Sequence, residues 1–113
     1  MSLIKETESN EPVLEFSPLA IKDIKGTWQY VSEQSEEIAA KLIRAISEKC
    51  EFLSRNPKIG RERNELIIGL RHFPFKNYNI FYFQTESGVE IYRVLHSLRN
   101  VVQVFDEIID DIK

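Results

Sequence analysis

The sequence contains a single cysteine, four glycines and four prolines, and no apolar run near the ~20 residues that a membrane-spanning helix needs. One cysteine, Cys50, cannot form an internal disulfide, which argues against a disulfide-stapled secreted domain. Residues 1–12 also lack the apolar segment of a secretory signal. These absences predict a cytoplasmic protein without membrane contact.

The motifs of the common phosphate and metal sites are absent as well: there is no Walker loop, GxGxxG, HExxH or CxxC pair. The two histidines, His72 and His96, fall on different predicted strands and form no recognisable ligand set with Cys50. Cys50 itself lies on the apolar stripe of a predicted helix, which favours a small buried side chain over a reactive thiolate. We therefore expect neither a metal ion nor a cofactor.

The 113 residues suffice for one domain, and 42% of them are hydrophobic, which is enough for one modest core. Residues 1–11 are polar, acidic and without periodicity, so we expect a loose tail followed by a single domain over residues 12–113. The net charge is −3, yet residues 55–99 carry eight basic against four acidic side chains. This asymmetry favours an acidic or anionic partner, although the pI of about 5.4 is not that of a dedicated nucleic-acid binder.

A short alternating strand at residues 13–16 is followed by a helix start, because Ser17 is a good N-cap and Pro18 suits the first helical position. Spacings of three and four predict one buried face, formed by Ile21, Ile24, Trp28 and Val31. Gly26 interrupts this helix at a cost of roughly 1 kcal/mol relative to alanine, and it would permit close approach of another backbone.

A second helix is predicted from Ser35 to Asn56, where Pro57 ends it. Its apolar stripe consists of Ile38, Leu42, Ala45 or Ile46, Lys49 or Cys50, and Leu53. The two helices form an αα-hairpin, and neither apolar face can be buried without a sheet.

The second half of the chain predicts that sheet. Strands are expected at residues 66–75, 78–84 and 89–96, joined by short turns into an antiparallel meander. Alternation along the last strand places one set of side chains on one face, Val89, Ile91, Arg93 and Leu95. Tyr92, Val94 and His96 fall on the opposite face. Helical spacing resumes over residues 98–112, so the predicted order is β-α-α-β-β-β-α, an α+β domain.

Several segments carry a family likeness. They are Ser17-Pro18-Leu19-Ala20, LSRNPKIGR at 53–61, GLRHFP at 69–74, NIFYF at 79–83 and IYRVLH at 91–96. In this order, over about residues 13–110, the chain resembles the ParE/RelE toxins of type II toxin–antitoxin systems, a group that includes plasmid stabilization proteins. The resemblance implies a RelE/ParE-like fold, a cognate antitoxin as partner and a toxin–antitoxin hetero-oligomer.

Two branches of the family imply two functions. ParE relatives bind DNA gyrase and trap cleaved DNA, whereas RelE relatives cut mRNA on the ribosome. An acidic chain suits a protein target better than dense phosphate, which favours the ParE branch. The ribonuclease, and a non-toxic relative that only binds its antitoxin, stay as alternatives. Asn100 replaces the family's usual aspartate, and residues 105–113 lack the Tyr, His or Arg of many RelE relatives.

Three sets of site residues follow. The expected target-binding residues are Arg61, Arg71, Arg93 and Arg99. A ribonuclease would use Arg61, Arg71, Arg93 and His96, which offer cations and one group that titrates near neutral pH. The expected antitoxin-binding residues are Trp28, Phe73, Phe75 and Tyr82. Structural roles compete with each of these: a salt bridge is favoured for Arg93, and an ordinary core position for at least half of the aromatic residues.

Overall fold

The computed structural model describes residues 11–99 and 101–112, with side chains as far as Ile108. Asn100 and all of the expected tail except Glu11 therefore lie outside the described residues. No helix in the described part of the chain combines the length and apolar character needed to cross a bilayer.

The described chain is an α+β structure in which one five-stranded sheet lies between an αα-hairpin and a C-terminal helix. Its elements are β1 (Val13–Phe16), α1 (Pro18–Ser32), α2 (Glu36–Arg55), β2 (Arg61–Glu62), β3 (Leu70–Phe75), β4 (Tyr78–Gln84), β5 (Gly88–His96) and α3 (Val101–Ile112). The strand order is β1-β5-β4-β3-β2.

Both hairpin helices begin where capping chemistry predicts. The Ser17 hydroxyl accepts a hydrogen bond from the Ala20 amide at 3.0 Å, and the Ser35 hydroxyl accepts one from Ile38 at 3.2 Å. The buried face of α1 agrees only in part with the expected one: Ile24 packs against the core, but Ala20 is fully buried and Ile21 and Trp28 are 44% and 38% exposed. The small Ala20 side chain lets α1 lie close to β5 and α2, which turns the larger residues outward.

The meander of β3, β4 and β5 is antiparallel, as predicted. The long strand expected at residues 66–75 is wrong in its first half, because residues 64–69 form turns that end at Gly69, whose φ is +88°. The sequence does not indicate the place of β1, which pairs in parallel with β5 from Val13 opposite Gly88 to Phe16 opposite Ile91.

The expected alternation along β5 is also wrong beyond its midpoint. The register between β4 and β5 shifts at Phe81 and Tyr82, which is the mark of a β-bulge. As a result Ile91 and Val94 both pack against the hairpin, whereas Tyr92 and Leu95 both pack on the α3 side.

The sheet therefore has a core on each face. The hairpin-side core contains Ala20, Ile46, Cys50, Leu53, Ile80, Tyr82, Val89, Ile91 and Val94. The α3-side core contains Leu70, Phe81, Leu95, Val104 and Phe105.

Candidate functional site

A buried ion pair joins the end of β5 to α1. The Arg93 guanidinium donates to both carboxylate oxygens of Asp23, at 2.8 and 2.9 Å, and their side chains are only 10% and 12% exposed. Asp23 also accepts from the Val94 amide at 3.0 Å. The hydrogen bonds to Asp23 hold the pKa of Arg93 above its usual value despite its burial. The salt bridge favoured for Arg93 from the sequence is confirmed.

A groove of about 700 Å³ opens beside this pair, between α1 and the end of β5. Three of the expected site residues, Arg93, His96 and Arg99, line it together. The other lining residues are Leu19, Lys22, Asp23, Gly26, Thr27, Tyr30, Tyr78, Val94, Leu95 and Leu98. We refer to this feature as the α1–β5 groove.

His96 is held at one side of the groove. Its Nδ1 accepts a hydrogen bond from the Leu98 amide at 3.1 Å, which places the proton of the neutral ring on Nε2. Its ring meets that of Tyr78 edge-on, at a centroid distance of 5.2 Å and an angle of 84°. One nitrogen of the ring is thus committed to the backbone.

Arg71 lies away from the groove and ties down the loop after α2. Its guanidinium donates to the carbonyls of Lys58 at 3.1 Å and Gly60 at 2.6 Å. A longer contact of 3.4 Å reaches the exposed carboxylate of Glu62. Most of its donors are therefore engaged within the chain.

Tyr82 holds the same loop from the hairpin-side core. Its hydroxyl donates to the Pro57 carbonyl and accepts from the Gly60 amide, both at 2.8 Å. A Cβ at Gly60 would overlap the Tyr82 ring, so this position requires glycine. Burial raises the pKa of Tyr82, and the side chain is fully buried. The loop in the family-like NPKIGR segment is thus shaped by contacts with the sheet.

Arg61 is exposed on the edge strand β2, where it pairs with His72 of β3. Register pairs continue from His72 to Phe81 and from Phe81 to Arg93. Arg61 and Arg93 are therefore three strand spacings apart, about 14 Å at the usual spacing. The fold brings Arg93 and Arg99 together and keeps Arg61 and Arg71 apart from them.

Sequence reasoning did not single out the polar cluster around His72. The Arg63 guanidinium approaches Nδ1 of His72 at 3.3 Å, and Asn79 Oδ1 lies 2.7 Å from Nε2. Because a guanidinium only donates, Nδ1 is the acceptor and Nε2 carries the proton. Burial lowers the pKa of His72, and the nearby charges of Arg63 and Arg61 lower it further. The available signal was the alternation of side chains along β3, which places His72 and Phe73 on opposite faces of the sheet.

The expected aromatic anchors lie in different settings. Phe73 and Phe75 are half-buried, and with Phe52 they surround the Lys49 ammonium at 5.5, 5.4 and 4.7 Å from the ring centroids. This cation–π cluster, which we call the Lys49 patch, combines apolar area with a positive charge. Trp28 is separate from it, partly exposed on α1.

Within the described residues, no three of His, Cys, Asp and Glu lie close enough to hold a metal ion. Cys50 is buried, and its burial raises the pKa of the thiol to about 12, which disfavours the thiolate. The groove and the Lys49 patch offer cations, aromatic rings and apolar side chains, which suit recognition of a protein segment.

Comparison with known proteins identifies the family. The model of the ParE toxin of type II toxin–antitoxin systems, parDE, matches residues 14–101. Among solved structures, a chain of the chromosomal ParDE TA system from P. aeruginosa has a TM-score of 0.64 and 20% sequence identity, covering 77% of this chain and 97% of that chain. No curated protein matches the sequence. Because the family match spans most of the chain, this protein belongs to the ParE toxin family of type II toxin–antitoxin systems.

Proposed function

We propose that this chain is a cytoplasmic toxin that binds DNA gyrase, traps cleaved DNA and is neutralised by a cognate antitoxin. Membership of the ParE family supports the toxin role. The observation that carries the choice of a binding mechanism is the arrangement of Arg61, Arg71 and Arg93, three of the residues that a ribonuclease would use, which lie in separate parts of the fold.

A metal-independent ribonuclease needs an acid, a base and cations that converge on one phosphate. In this fold Arg93 is neutralised by Asp23, and Arg71 donates to two backbone carbonyls. Arg61 lies on the far edge of the sheet, about 14 Å from Arg93 by strand count. This dispersal favours gyrase binding over mRNA cleavage.

We also propose that the antitoxin covers the Lys49 patch. Phe52 is 38% exposed, and Phe73 and Phe75 are half-buried beside it. Exposed aromatic area with a central ammonium is suited to a partner segment that presents aliphatic side chains and a carboxylate. Trp28 lies on another helix and would extend the contact only if the antitoxin wraps around the hairpin. Tyr82 would act indirectly, by holding the loop after α2.

The test is a gyrase assay with the purified chain, scoring both supercoiling and cleaved plasmid. We expect cleaved DNA to accumulate and the antitoxin to prevent it. A parallel translation reaction with ribosomes and mRNA reports the alternative activity. The control is the chain saturated with antitoxin before gyrase is added.

Each result has a defined meaning. Cleaved plasmid without mRNA cleavage supports the proposal. Ribosome-dependent mRNA cleavage, with gyrase unaffected at a large molar excess of toxin, contradicts it and supports the ribonuclease. Antitoxin binding with neither activity identifies a non-toxic relative.

A further inference from the structure

The α1–β5 groove contains a glycine that the chain itself does not require. Gly26 lies in the interior of α1, where glycine weakens a helix relative to alanine. A Cβ at this position would meet nothing within 4 Å, and its φ is not positive. Neither packing nor backbone conformation within the described chain accounts for it. An open glycine on a groove wall instead permits a backbone from outside to approach closely.

The charges in the groove are unbalanced. Asp23 is fully used by Arg93 and the Val94 amide, so its negative charge is offset. Lys22 and Arg99 also line the groove, and neither has an ion-pair partner among the described residues. The groove therefore presents two uncompensated cations, which complement carboxylates.

Apolar side chains flank these cations. Leu98 is 88% exposed and Tyr30 is 69% exposed, and both line the groove together with the partly exposed Leu19. The two leucines contribute little to binding of phosphates or stacked bases, whereas they suit leucine-like side chains of a peptide. The acidic net charge of −3 also disfavours a nucleic acid as occupant.

We propose that the α1–β5 groove is the surface through which the toxin holds its protein target. The occupant is an amphipathic segment of that target, with its backbone against Gly26 and its carboxylates beside Lys22 and Arg99. This inference rests on the proposed function, because it assigns the target contact to a surface distinct from the Lys49 patch proposed for the antitoxin.

The first test fills the groove without changing its charge. Gly26→Met replaces glycine with a good helix former, so the melting temperature should rise. The same side chain occupies the space for the target backbone, so growth inhibition and gyrase-dependent DNA cleavage should fall by at least about tenfold. A stability gain accompanied by a loss of toxicity is not expected of a merely structural residue. Unchanged toxicity in a folded Gly26→Met chain overturns the inference.

The second test reverses the groove charges. The double variant Lys22→Glu with Arg99→Glu should lose toxicity by at least about tenfold. The matched control is Lys25→Glu with Arg44→Glu, which makes the same charge change at exposed positions of α1 and α2 outside the groove. The control should stay within about twofold of the unaltered chain, because surface charges outside a contact change affinity little. Equal losses in both variants overturn the inference.

Three further readouts separate this inference from the proposed function. Antitoxin binding should be retained in both groove variants, and its selective loss would assign the groove to the antitoxin instead. A fluorescein-labelled 20-nucleotide DNA that binds the unaltered chain but not the charge-reversed one would assign the groove to nucleic acid. Growth inhibition by the unaltered chain without any gyrase effect contradicts the gyrase proposal, and the variants then still test the groove through growth. If the unaltered chain does not inhibit growth, both proposals fail.

Discussion

At the scale of single residues, the chain gives several of its charged groups structural partners. Arg93 is the clearest case, because two hydrogen bonds to Asp23 fix it between α1 and β5. Arg71 and Tyr82 together hold the loop at residues 57–60. The presence of a basic residue in a family-like motif therefore does not show that it contacts the target. Lys22 and Arg99, whose charges are not paired within the described chain, are the better candidates.

We expect Asp23→Ala to destabilise the fold by about 3–5 kcal/mol, because it leaves the Arg93 charge and the Val94 amide buried without an acceptor. Urea unfolding at neutral pH measures the change. Glu37→Ala, which breaks an exposed pair with Lys41, should cost less than about 0.5 kcal/mol. Similar losses in both variants would show that the Asp23 pair is no stronger than a surface contact.

His72 should make stability depend on pH. Its pKa is lowered in the folded chain, so the unfolded chain binds the proton first as pH falls below about 6.5. The contribution of His72 to the free energy of unfolding is therefore fully present above pH 6.5. It is lost as pH falls from that value through the lower pKa of the folded state. Urea unfolding between pH 8 and pH 5 should show a shrinking stability difference between the unaltered chain and His72→Gln. If this stability difference is the same at pH 8 and at pH 5, the pKa of His72 is not lowered by folding.

At the scale of elements, local sequence sets where a helix begins and ends, whereas long-range contacts set which of its faces is buried. The caps at Ser17 and Ser35 set the starts of α1 and α2, and Pro57 sets the end of α2; these three bounds were predictable. The buried face of α2 was largely predictable, because Ile46, Cys50 and Leu53 are buried as expected. That of α1 was less so, because Ala20 is buried while Ile21 is exposed. The buried face of a helix depends on the elements that pack against it. Small residues allow a close approach that hydrophobic spacing alone does not indicate.

Gly88 should be essential to the pairing of β1 with β5. A Cβ at this position would overlap the Val13 backbone, so Gly88→Ala should cost about 2 kcal/mol or more and loosen β1. Urea unfolding and amide hydrogen exchange in β1 measure both effects. Gly26→Ala is the matched control, since its Cβ meets nothing, and it should stabilise the chain by about 0.5–1 kcal/mol. If Gly88→Ala leaves the free energy of unfolding unchanged, β1 and β5 can move apart at little energetic cost.

At the scale of the whole molecule, the described chain leaves many large apolar side chains in contact with solvent. More than half of the side chain is exposed at Tyr30, Ile38, Ile59, Ile68, Leu98 and Val102. Exposed apolar groups in a small protein indicate binding surfaces or a tendency to associate. Two of them, Tyr30 and Leu98, belong to the α1–β5 groove.

We therefore expect the purified chain to self-associate and its complex with the proposed antitoxin to be monodisperse. Light scattering coupled to size-exclusion chromatography, at matched toxin concentrations, measures both. Association should be reduced by Leu98→Ser, because that change removes an exposed apolar side chain without touching the core. Equal monodispersity with and without antitoxin would count against this expectation.

The sequence by itself determined the order of the helices and of every strand except the two-residue β2, and also both helix caps, the antiparallel meander and the family, because these depend on local spacing, capping residues and short motifs. The tertiary structure alone decided that β1 joins β5 in parallel, that a bulge reverses the faces of β5 and that Arg93 meets Asp23, 70 residues away in sequence. It also decided that Lys22, Gly26, His96 and Arg99 share one groove. These features depend on contacts between distant segments. Local periodicity carries no information about which distant segments meet.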